Sequence, residues 1–494
     1  MADRNRVSVI RTDCYSYPDS LSYFRPDTKY PEYDGMIAPS TQNKVYGAVR
    51  DALFYLGLDA EHFNTTEWNP LGEIIKPGMC VLIKPNMVLD RNQNQAGGTD
   101  CLYTHPSVVA PIIDYILLAL KGQGKVVIGD APMQDCNFDK LIAESGYADL
   151  AAYYRDRGTD IELVDFRSSH AQRKQGISIS QKHERVAEIV VNLGKESEFY
   201  GIGEDQERRL RVTNYDPRII QKHHCGDVQE YSISKYVLDA DVIINMPKPK
   251  THRKAGVTIS LKNFVGTNAY KEFLPHHTLG ANSDHGDEYL RRSKLHGLRS
   301  YFYDKINMSL SERHDLKARW YSILRSGCSA MMRFGNNPYS EGSWHGNRTI
   351  SRTITDINKI IYFADKNGTM RDSPCREILI VADMIVSGEK EGPVAPSPKE
   401  VGIIAAGLNP VCFDETIATI MGMDIEKIPT LQSVRKSKSK YRLIEPSCQP
   451  IISSNDAEFN GKRLYELNKT ALLNFIPTDG WKGHVELNDL YTQP

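Results

Sequence analysis

The stretch Ala240–Gly266, ADVIINMPKPKTHRKAGVTISLKNFVG, gathers most of the chain's chemistry-bearing side chains. Lys248, Lys250, Thr251, His252, Arg253, Lys254 and Lys262 fall within fifteen residues, behind the apolar run Val242-Ile243-Ile244. Cations this dense repel one another unless an anion lies between them. The pattern therefore points to binding of a carboxylate or phosphate. A lysine crowded by cations and withdrawn from water also loses its proton more easily, which suits it to acid–base work.

Comparable polar groups follow other apolar runs. Lys84 and Asn86 close CVLIKPN, Asp130 closes VVIGD, and Asp383 closes ILIVAD. A packed strand has no use for such residues, whereas open parallel sheets present ligand-binding groups at strand carboxyl ends. The expected anion site is Lys84, Asn86, Asp130, Lys248, Thr251, Lys262 and Asn263, with Lys250, His252 or His105 in proton transfer. Each has a plainer reading: His105 as a helix-start residue, Asp130 as a helix cap, and Pro85, Pro247 and Pro249 as strand terminators. Asp383, Glu389 and Asp414 form an expected acidic set that would orient these cations or hold a divalent metal beside the substrate. His276-His277 and Asp284-His285-Gly286-Asp287 have the composition of metal ligands without the spacing of a defined motif. The run Arg435–Lys440 reads as a solvated basic loop.

The surrounding pattern supplies elements to hold these groups. Strands are expected at Val7–Ile10, Gly78–Ile83, Lys125–Ile128, Ile161–Phe166, Val242–Ile244, Glu377–Val381 and Val401–Ala406. Helices are expected at Val45–Leu56, Val108–Leu120, within Phe138–Tyr154, in part of Tyr289–Ser326, at Arg352–Tyr362 and at Cys412–Met421. Strand and helix alternate, so the expected class is α/β, with parallel or mixed sheets covered by helices and two lobes around a cleft. The expected division is an N-terminal lobe (1–167), an insertion or connection (168–234), a second lobe (235–430) carrying the basic loop, and a polar extension (431–494).

Bulk properties narrow the class. The chain has 494 residues, 61 Lys+Arg against 62 Asp+Glu and a net charge of −1, so no global attraction to nucleic acid or anionic membranes is expected. Nine cysteines are scattered with no two within ten residues, which fits reduced thiols and leaves no CxxC zinc knuckle or ferredoxin run. No apolar stretch approaches the roughly twenty residues of a membrane span, and the N-terminus has no apolar leader. A cytoplasmic protein is expected. Walker A, GxGxxG, GxSxG and HExxH motifs are absent from the sequence.

Seven segments resemble domain-of-unknown-function family 362: IKPNMV (83–88), THPSVV (104–109), VVIGDAP (126–132), ADVIINMPKPKTH (240–252), SLKNFVG (260–266), VADMIVSGEKEGP (381–393) and NPVCFDETIATIMGMD (409–424). Many members of that family carry an attached ferredoxin module, which this sequence lacks, so the resemblance implies no iron–sulfur cluster in this chain. A looser similarity, of layout only, is to nickel-dependent lactate racemases. The leading expectation is an enzyme acting on a small anionic metabolite. The alternative is a non-catalytic binding or electron-transfer partner of an iron–sulfur system.

Overall fold

The computed structural model describes residues 3–18, 24–35, 37, 43–174, 177–182, 187–332 and 339–487. Its centre is one ten-stranded sheet. The strands are β1 (Arg6–Arg11), β2 (Cys80–Pro85), β3 (Lys125–Asp130), β4 (Ile161–Asp165), β5 (Val242–Met246), β6 (Lys250–His252), β7 (Gly256–Thr258), β8 (Glu377–Glu391), β9 (Ala395–Gly407) and β10 (Ile451–Ser454). Eight run in the order β10-β1-β9-β8-β5-β2-β3-β4, and β6 and β7 branch from β8. The block β8-β5-β2-β3-β4 is parallel, while β9 is antiparallel to both of its neighbours, β8 and β1.

Alternation along the central strands decides which face each residue covers. Val81, Ile83, Val126, Ile128, Val242 and Ile244 point to one side, where they pack with α1 (Lys44–Leu56), α2 (Pro106–Leu120) and α3 (Tyr147–Arg155). Leu82, Val127 and Ile243 point to the other, beneath α6 (Thr349–Phe363) and α7 (Pro410–Ile420). Strands covered on both faces must be apolar at every position, which is why VLI, VVI and VII appear as unbroken runs. Two further helices, α4 (Lys294–Ser311) and α5 (Asp315–Met332), form a hairpin beyond this body, and α8 (Pro429–Lys436) packs on α6.

Helix boundaries have local causes. Asn43 caps α1, its side chain accepting from the Tyr46 amide at 3.2 Å, and Gly57 ends it in the left-handed region at φ 91°. His105 caps α2 and Pro106 opens it, where proline's missing N–H costs nothing.

The expected division into two lobes is not what the strands form. Val242 of β5 pairs directly with Val81 of β2, so segments 1–167 and 235–430 contribute neighbouring strands to the same sheet. The C-terminal segment joins it as well. Ile451–Ser454 pairs with β1, and the fully buried Trp481 donates to the Arg253 carbonyl at 2.8 Å. Between β4 and β5 lies a small antiparallel sheet of Glu188–Asn192, Val228–Ser234 and His224–Cys225.

Candidate functional site: a buried lysine cluster

Parallel pairing brings the polar strand ends to one edge of the sheet. Lys84 sits opposite Asn245 in the β2–β5 register, and Asp130 ends the adjacent β3. Past β5, Pro247 and Pro249 turn the chain so that Lys250 pairs with Gly388 at the far end of β8. The basic loop is thus laid across the strand ends.

Two lysines at this edge are neutralised, Lys84 of β2 and Lys248 of the loop. Lys84, with no exposed side chain, meets Asp130 at 2.8 Å. The other Asp130 oxygen accepts from the Met87 amide at 2.6 Å. Asn263 ties this pair to its surroundings: its oxygen accepts from Lys84 (3.2 Å) and Asn86 (2.9 Å), and its amide donates to Asn245 (2.7 Å). Gly266 is required here, because a Cβ would lie 2.0 Å from Asp130 Oδ1 and 3.0 Å from Lys84 Nζ. Lys248 meets Asp383 at 2.6 Å, both fully buried, and donates to the Tyr17 hydroxyl, which donates in turn to Asp383 at 2.6 Å. Burial pulls both lysines below the ordinary amine range, and Asp130 and Asp383 oppose that pull.

A second group of lysines has no carboxylate bound to it among the described residues. Lys250 donates only to the Leu102 carbonyl, Lys254 to Thr213 Oγ1 (2.8 Å) and Lys271 to the Ala131 carbonyl (2.7 Å). Burial lowers each to about 7, and Lys262 to about 8. Lys262 is the hub. It makes no hydrogen bond or ion pair among the described residues, yet its charge depresses Lys250, His252, Lys271 and His276. Asn86 Oδ1, a few atoms from the Lys84 pair, is buried without a hydrogen-bond partner among the described residues. Together these groups concentrate lysine donors, and one amide oxygen without a partner among the described residues, at one edge of the sheet.

The two histidines expected in proton transfer are placed otherwise. His252 Nδ1 accepts from the Lys254 and Ala255 amides at 3.0 and 3.1 Å, so the neutral ring carries its proton on Nε2. Burial, reinforced by Lys262, holds its pKa well below the usual range, which makes it a hydrogen-bond donor rather than a base. His105 caps α2, accepting from the Ser107 amide at 3.2 Å, and stacks on Tyr17 at 3.9 Å. Burial and Lys248 lower it to about 3. Its helix-start reading explains its position, whereas Asp130 is a counter-ion and caps no helix: the next one is capped by Asn137. Thr251 donates to the Lys390 carbonyl at 2.8 Å, in the β8–β9 hairpin.

The acidic set does not assemble. Asp383 is held by Lys248, and Glu389 accepts from the Ile476 amide (3.0 Å) and faces Lys399 (3.3 Å). Asp414 accepts from the Ser260 and Leu261 amides at 2.9 and 3.1 Å, and burial raises it to about 7. Among the described residues no three His, Cys, Asp or Glu side chains come together as metal ligands, His276-His277 and the 284–287 cluster included. Asp287 instead binds backbone amides of Thr278, Arg348 and Thr349.

Sequence reasoning passed over Tyr17, Lys271 and Asn245, and gave Lys254 and His276 no place among substrate-binding residues. Lys254 lies in the same basic run, so its signal was present. Tyr17 and Lys271 reach the site only through tertiary packing.

Residues 81–196 and 195–419 match the family described as domain of unknown function (DUF362). These spans contain every lysine of the cluster. The chain is also similar to a thylakoid-associated protein of Synechocystis, sll1697, with 23% identity over 362 residues that cover 73% of this chain and 68% of that protein. No helix among the described residues is long and apolar enough to cross a membrane. With the matched spans reaching from β2 to the end of α7, the chain belongs to the DUF362 family.

Proposed function

We propose that the protein is an enzyme acting on a small anionic metabolite, carboxylated or phosphorylated, held over the strand ends by Lys250, Lys262 and Lys271. The observation that carries this reading is Lys262. A partly buried ammonium without a counter-ion, set among other amines lowered to about 7, is costly unless an anion compensates it. Lys84–Asp130 and Lys248–Asp383 form the rigid frame. Asn86 and the Nε2–H of His252 orient the bound anion. Lys250, near pKa 7, is about half protonated at neutral pH and passes the proton. Nine free cysteines fit a reducing compartment, and we place the protein in the cytoplasm.

The test is a thermal-shift panel of carboxylated and phosphorylated metabolites on the wild type and on Lys262→Gln. A ligand at a hundred times its dissociation constant adds about 2.7 kcal/mol to the wild type. The same compound leaves Lys262→Gln unmoved. If every compound shifts both proteins alike, the reading is wrong.

A further inference from the structure

A basic cavity lies outside the lysine cluster. Its volume is about 750 Å³, and four separate parts of the chain line it: Glu198, residues 345–352 at the start of α6, the 426–436 segment with α8, and His484. Four of its lining side chains are cations (Arg348, Arg352, Lys427 and Lys436) against two carboxylates, Glu198 and Glu426. Glu198 is already engaged by Lys359 at 2.7 Å, and Lys427 by Asp424 at 3.2 Å. Arg352 is partly buried, 5.9 Å from the Phe199 ring, and makes no hydrogen bond or ion pair among the described residues. A guanidinium with five donors left unused inside a cavity is a group waiting for an acceptor.

The cavity is separate from the lysine cluster. None of the cluster's lysines lines the cavity, and Asn347, next to Arg348 in the chain, donates to the His276 carbonyl at 3.0 Å. It also accounts for part of the basic run at 435–440. Arg435 is held by Glu415 at 2.7 Å and Lys440 by Asp372 at 2.7 Å, which leaves Lys436 facing the cavity.

We propose that this cavity is a second ligand site, taking a phosphate-bearing small molecule whose phosphate is held by Arg348 and Arg352. Arg348 is the N-cap residue of α6 and Arg352 lies in its first turn; both line the cavity and can grip a tetrahedral anion with two planar forks. The excess of two positive charges among the lining residues matches a phosphate dianion. The volume lies in the range of small-molecule sites and far exceeds a bare phosphate, which leaves room for an organic body. His345 and His484, stacked at 3.6 Å, and Pro429 offer it a flat wall.

Calorimetric titration of inorganic pyrophosphate into the full chain tests this. The variants are Arg352→Gln, Arg348→Gln and Lys262→Gln. Arg348 is exposed, so its replacement leaves packing untouched even if Arg352→Gln disturbs the fold. The expected result is binding to the wild type and to Lys262→Gln, weakened at least tenfold in both arginine variants. Failure of pyrophosphate to bind the wild type overturns the proposal. So does affinity unchanged in Arg348→Gln, or binding abolished by Lys262→Gln alone, which would assign it to the lysine cluster. Loss at one site with retention at the other keeps this proposal distinct from the function proposed above.

Discussion

Lys84 and Asp130 form a closed ion pair at 2.8 Å with almost no exposed surface, and Lys262, within reach of the same field, has no counter-ion among the described residues. The contrast separates lysines held by a carboxylate from a lysine with none among the described residues. The two kinds respond in opposite ways to removal.

Breaking the closed pair leaves a buried charge without compensation, which costs about 3–5 kcal/mol. Asp130→Asn and Lys84→Met should each lower stability by that order in denaturant unfolding. The double variant should recover part of the loss, because it buries no unpaired ion. Equal additive losses would show that the pair is not coupled as its geometry implies.

Lys262 should behave the other way. Lys262→Met removes a charge that the ligand-free fold holds at a cost, so unfolding without ligand should show a gain on the order of 1 kcal/mol. The same variant should lose any stabilisation by the metabolite that shifts the wild type. A protein destabilised by Lys262→Met would mean that this ammonium is structural.

The lysines also set the pH dependence. Burial brings Lys250, Lys254 and Lys271 from the ordinary 10.5 down to about 7 in the folded chain. Between pH 7 and 9 the unfolded chain therefore binds more protons than the folded one, and stability rises with pH. Below about pH 7 both states hold these protons and the contribution stops changing. Asp114, Asp414 and Glu288, raised by burial to about 7, act below that point, where their contribution falls as pH rises from about 4. Urea midpoints at pH 7, 8 and 9 check this. The ligand-free wild type should gain stability across the series, and Lys250→Met should gain less. A flat or falling series would mean that these amines are not depressed.

The sequence made the strands legible as apolar runs, and their polar ends at Lys84, Asp130, Lys248 and Asp383 pointed to a shared edge if the sheet was parallel, though parallel and mixed arrangements in two lobes both fitted the pattern. It also marked the basic loop. What it could not show was pairing. Whether a lysine at a strand end is clamped by a carboxylate depends on which strands are neighbours, and β5 lies beside β2 although about 160 residues separate them. The same limit hid the roles of Asp383, Glu389 and Asp414, whose spacing resembles a ligand set until each finds its own partner. His105 was ambiguous for a different reason: a histidine that caps a helix and one that moves protons look alike until the burial of its ring is known.

Ligand binding should draw protons from solution. At pH 8 an amine lowered to about 7 is mostly neutral, so Lys250, Lys254 and Lys271 stand largely unprotonated in the empty site. A bound carboxylate or phosphate favours their charged forms and raises their pKa values. Binding at pH 8 is then accompanied by proton uptake, whereas near pH 6 the same amines are already charged and uptake should fade. Calorimetric titration of the shifting metabolite, in two buffers of different ionisation enthalpy at each pH, measures the number of protons directly. Uptake at pH 8 that shrinks at pH 6, and is reduced in Lys250→Met, is the expected outcome. Proton release at pH 8, or uptake unchanged when Lys250, Lys254 and Lys271 are all replaced by Met, would remove the lysine cluster as the seat of binding.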